Sequence, residues 1–170
     1  MTQEVVITGL VSIAALLSVV GLATGKAARV VTGTCLALLL LALLLGWSSD
    51  AVHDLDKGVT VMAAILAVAG GGLVTTQVFA FVEDRERVEQ AGTVLRGGAW
   101  IGALERLAVY VALVAGWAPG LAIVLAVKGL GRYPELRNQE DTAVAERFII
   151  GTFTSVLWAV ACAGVAVLAP

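Results

Sequence analysis

The chain of 170 residues carries 11 Lys and Arg against 13 Asp and Glu; 59% of its residues are apolar and only 14% are charged. Soluble domains average about 25% charged residues, so this composition, with a mean hydropathy of +0.96, excludes a water-soluble globule and makes lipid the main solvent. Near-balanced charge excludes a nucleic-acid binder, and 2 cysteines with 1 histidine exclude a disulfide framework, a thiolate zinc site, an iron–sulfur cluster and any multi-histidine metal site.

Five long apolar runs and one short one follow in chain order. Residues 5–22, 30–47 and 59–82 hold no charge, and each is close to the roughly 20 residues that cross a ~30 Å hydrocarbon core. Residues 99–117 form a run of similar length that includes Glu105 and Arg106. Residues 119–132 are a shorter run with Lys128, and 148–168 are again uncharged. A backbone in lipid must satisfy its own hydrogen bonds, and no alternating barrel pattern is present. The expected fold class is therefore all-α, a polytopic integral membrane protein of six transmembrane helices. No Pro/Ser-rich linker or low-complexity tract interrupts it, so residues 1–170 read as one domain.

Orientation follows from the loops. Met1–Glu4 hold no Lys or Arg, unlike the start of a secretory signal, so the first run reads as a retained span. The next loop holds Lys26 and Arg29, the 83–96 loop Arg85, Arg87 and Arg96, and the 132–147 segment Arg132, Arg137 and Arg147. The positive-inside rule places these in the cytoplasm and both termini outside, in the inner membrane of a bacterium. Every basic residue except Lys57 falls on that side or at that end of a helix. Trp47 and Trp117 mark outer ends, and Trp100 and Tyr133 inner ends, as interfacial aromatics do.

Spans four and five read as a tight hairpin turning at 117–120. Glu105 and Arg132 each stand about 12 residues, or ~18 Å, from that turn. Charges within membrane spans are costly and mark candidate functional sites. The cytoplasmic end of spans four to six thus gathers Glu105, Arg106, Lys128, Arg132, Glu146 and Arg147. Lys128 and Arg132, four apart, share one helix face. Two carboxylates against four cations leave a surplus of positive charge. That suits an anion such as a phosphate, a lipid head group or a carboxylate. The same six residues also suit salt bridges that pin helix ends, with Lys and Arg snorkelling to the interface.

Other features carry two readings each. Gly70-Gly71-Gly72 in span three weakens a helix by roughly 1 kcal/mol per glycine; it marks either a broken helix exposing backbone dipoles or a notch for close packing. Arg147, Gly151, Thr154, Trp158 and Cys162 form a small-and-polar stripe on span six, lining a path or making a helix contact. Asp50, His53, Asp54 and Asp56 form an acidic outer loop without the order of a calcium site. Cys35 and Cys162 read as buried packing residues. No catalytic triad, zinc-protease motif or glycine-rich phosphate loop is present, so the sequence leans away from an enzyme and implies no cofactor.

Three ordered motifs span about residues 97–160: Gly98 and Gly102 before Leu104-Glu105-Arg106, then Ala126, Lys128 and Arg132, then Ala145-Glu146-Arg147 with Gly151-Thr152 and Ser155. Together they resemble an uncharacterised bacterial family of polytopic membrane proteins. The resemblance implies that Glu105, Arg106, Lys128, Arg132, Glu146, Gly151 and Thr152 form a shared feature, and it implies no activity. Arg147 departs from the aromatic residue usual there.

The expected function is a small transport or lipid-handling protein with an anion site at the cytoplasmic end of helices four to six. Glu105 would orient Lys128 and Arg132 to hold the anion, while Arg106 and Arg147 guard the entrance. A non-catalytic subunit or scaffold, docking a partner on its charged face, is the alternative. Six short helices leave little room for an internal path, so a homo-oligomer or a membrane-complex subunit is expected.

Overall fold

The computed structural model describes residues 2–24, 28–47, 56–82, 98–137 and 142–169, all but a few of them helical and none in a strand. The helices among these residues are α1 (Thr2–Thr24), α2 (Ala28–Trp47), α3 (Lys57–Val82), α4 (Gly98–Val114), α5 (Ala118–Arg137) and α6 (Thr142–Leu168). Lys26, Arg85, Arg87, Arg96 and the acidic loop at Asp50, His53 and Asp54 lie outside the described residues.

Among the described residues, four helices are long and apolar enough to cross a bilayer: Gln3–Thr24, Ala28–Trp47, Lys57–Val82 and Ala145–Leu168. The expected fourth and fifth spans differ from these. α4 has 17 residues, about 25 Å at 1.5 Å per residue, with Glu105 and Arg106 in its middle. α5 has 20 residues but carries Lys128, Arg132, Glu135 and Arg137, which dilute its hydropathy.

α3 is the axis of the bundle and packs on α1, α2, α4 and α6. It buries 44% of its apolar window, against 28–33% for the other three long helices. Asp56 caps its start, its Oδ1 accepting from Val59 N at 2.8 Å, as N-cap carboxylates do. Ala14, Ala15, Ala63, Ala67 and Ala166 are buried at the contacts. Such small side chains let helix backbones approach closely where lipid removes the hydrophobic drive. Cys35 and Cys162 are buried and unbridged within this core.

The α4–α5 turn is as tight as the sequence implies. Gly116 takes φ +68°. Gly116 N donates to Leu113 O at 3.0 Å and Trp117 N to Ala112 O at 2.8 Å, the paired bonds that end a helix on a left-handed glycine. Beyond this turn α5 packs chiefly against α4.

Candidate functional site at the centre of the bundle

Of the six charged residues, Arg106 makes contacts apart from the Glu105–Lys128 pair. Arg106 is the ninth of the 17 residues of α4, so it stands at mid-helix. Its side chain crosses to the middle of α3 and α6. Nε donates to Val68 O at 3.0 Å and Nη1 to Ser155 Oγ at 3.3 Å. Arg106 is 8% exposed, and among the described residues no carboxylate pairs with it. The sequence predicts it at the cytoplasmic end of a span reaching Trp117, whereas α4 stops at Val114 with Arg106 at its middle. The glycine turn ends α4 earlier and re-centres it.

The triple glycine explains how a guanidinium fits there. α3 runs unbroken through Gly70-Gly71-Gly72, so the broken-helix reading falls. A β-carbon on Gly71 would overlap the Arg106 Cδ and lie 2.8 Å from its Nε. One on Gly70 would lie 2.7 Å from Trp158 Cζ2. The notch therefore seats two large side chains rather than a crossing helix. Trp158 is fixed by its indole N–H, which donates to Leu66 O at 3.0 Å. Below the notch, Tyr110 Oη donates to Thr60 O at 2.7 Å and ties α4 to the start of α3.

Glu105, next in sequence, faces the other way and forms an ion pair with Lys128 of α5. Both side chains are part-buried, and the Lys128 ammonium also lies 5.8 Å from the Phe148 ring. Lys128 is thus paired with Glu105. Arg132 is half-buried one turn further along α5, and Glu146 is exposed. Arg147 stacks its guanidinium 4.6 Å over the Phe79 ring, a cation–π distance; Gly151 leaves room for that ring, since its β-carbon would come within 2.9 Å of Phe79 Cζ. The structure therefore joins Glu105 to Lys128, ties Arg106 to α3 and α6 at mid-height, and sends Arg147 to α3.

Val68, Ser155 and Tyr110 were not singled out by sequence reasoning as partners. The available signal was the glycine run itself, which pairs with a bulky residue as readily as with a helix.

No protein-family model matches the chain, and neither a curated protein nor a solved structure matches it.

Proposed function

We propose that this chain is a small multi-pass protein of the bacterial inner membrane that binds and moves an anion, with Arg106 as its central cation. Its six helices would form six crossings with both termini outside, and its second half would belong with the bacterial family it resembles. One observation carries the reading: a guanidinium almost wholly buried at the mid-height of the bundle, with two hydrogen bonds and no carboxylate among the described residues. A cation at that depth costs about 2.5–3.5 kcal/mol on insertion scales, and transporters hold their substrates near mid-membrane. Lys128, neutralised by Glu105, then serves the α4–α5 hairpin rather than the ligand, and Arg132 and Arg147 guard the approaches.

The test is thermal unfolding of the detergent-purified protein with inorganic phosphate, nucleotides and small carboxylates, beside Arg106→Gln and Lys128→Met. Stabilisation by one anion class that Arg106→Gln abolishes and Lys128→Met retains supports the site. Stabilisation by none of them sinks it.

A scaffold or subunit role has its own supporting observation. α5 packs chiefly on α4, leaving Ile123, Val127, Leu130 and Tyr133 exposed, a face that a partner helix or a second copy could cover. Co-purification of a stoichiometric partner, lost on Val127→Arg, would favour it.

A further inference from the structure

The Arg106 side chain has more donors than the protein around it accepts. A guanidinium carries five N–H groups and no acceptor. Nε gives its hydrogen to Val68 O, and Nη1 gives one to Ser155 Oγ. Among the described residues nothing accepts from Nη2 or from the second hydrogen of Nη1. Ser155 is a receiver in this contact, and its own hydroxyl proton goes to no carbonyl. The helical hydroxyls of Thr8, Thr24, Thr34, Thr75 and Thr76 differ, each donating to the carbonyl four residues earlier, as such groups do by default.

Residues without side chains border the unused donors. A β-carbon on Gly102 would lie 3.2 Å from Nη1, and one on Gly72 would lie 3.6 Å from Nη2. Both glycines are part-exposed. Among the described residues, the unpartnered side-chain atoms sealed from solvent are Thr32 Oγ1, Gln77 Oε1 and Thr152 Oγ1. Nη2 is not one of them, so it is unpartnered and reachable. Charge is unbalanced at the same place: Glu105 and Lys128 cancel one another, while Arg106 keeps its full positive charge.

We infer that the anion at Arg106 is a small, planar, univalent oxoanion of the carboxylate or nitrate kind. Nη1 and Nη2 hold it end-on, and the Ser155 hydroxyl donates to it. This inference rests on Arg106 being the anion's cation and narrows what that cation takes. Only the end-on edge serves, because Nε is committed to Val68 O. Two coplanar oxygens match the guanidinium fork with two parallel bonds, which the single atom of a halide does not. One negative charge neutralises Arg106. A dianion such as phosphate leaves a net charge within the hydrocarbon, where charges are costly.

Thermal unfolding of the detergent-purified full chain in sodium formate, nitrate, chloride and phosphate, at matched ionic strength, tests it. Formate and nitrate are expected to raise the midpoint saturably, at concentrations about tenfold below any effect of chloride or phosphate. Gly72→Ala sets a methyl group beside Nη2 at ordinary contact distance and favours the helix. It should melt no lower than wild type without anion, yet need about tenfold more formate. Should Gly72→Ala fail to fold, Ser155→Ala is read instead, and it must weaken the formate response about tenfold. Chloride or phosphate acting at concentrations as low as formate overturns the inference and leaves Arg106 as an anion site. Dimethyl phosphate acting where formate does not assigns the site to a lipid phosphodiester and overturns it equally. An unchanged formate response in the variant places the anion elsewhere. No response to any anion sinks both this inference and the reading it rests on.

Discussion

The long-helix bundle and the α4–α5 hairpin bury polar groups in opposite ways. In the bundle, Arg106 is held by a backbone carbonyl, a serine hydroxyl and a glycine notch, with close packing on every side. On the hairpin, Glu105 and Lys128 neutralise one another where α5 has only α4 for firm support. Dense packing supplies enough fixed dipoles and contacts to hold a cation without an ion pair. Sparse packing does not, so the charges there come as a pair.

Substitutions that fill or empty each arrangement can break this contrast. The largest effect is expected from Gly71→Val, which forces Arg106 and Trp158 out of the notch. Overpacking of this kind costs about 1–3 kcal/mol or more, and thermal unfolding in detergent should show a markedly lower midpoint. Adding Arg106→Ala to the same chain should recover part of the loss. No recovery would mean that the clash lies elsewhere.

Lys128→Met comes next. It strands the Glu105 carboxylate in a part-buried position, where breaking a buried pair costs up to about 3–5 kcal/mol; its partial exposure puts the expected loss nearer ~2 kcal/mol. The double change Glu105→Gln with Lys128→Met should regain most of it. A single variant as stable as wild type would show that the pair contributes nothing.

Trp158→Phe removes the indole donor from Leu66 O and leaves a small void, for about 1–2 kcal/mol. The smallest effect is expected from Tyr110→Phe. It deletes one hydrogen bond to Thr60 O, worth about 1 kcal/mol or less, and equilibrium unfolding should detect little more.

The helical class and the four long apolar helices were legible from composition and run length, because lipid demands both in the local chain. The α4–α5 turn was legible too, from the break between two apolar runs at 117–120, although not the left-handed Gly116 that makes it. The pairing of Glu105 with Lys128 could be anticipated only as one of several combinations, since charges at similar depth on facing arms have several partners within reach. The position of Arg106 was not legible. Glu105 and Arg106 are neighbours in sequence, yet a helix turns about 100° per residue, so one faces α5 and the other faces α3 and α6.

Local sequence thus dictates the apolar runs and the break that becomes the tight turn. Which charge meets a carboxylate and which meets backbone depends on the rotation of α4 and on where its glycine turn ends it. Those are set by contacts between segments far apart in the chain, Gly71 with Arg106 and Leu66 with Trp158. No periodicity within a single run encodes them, because the energy that selects them belongs to the assembled helices.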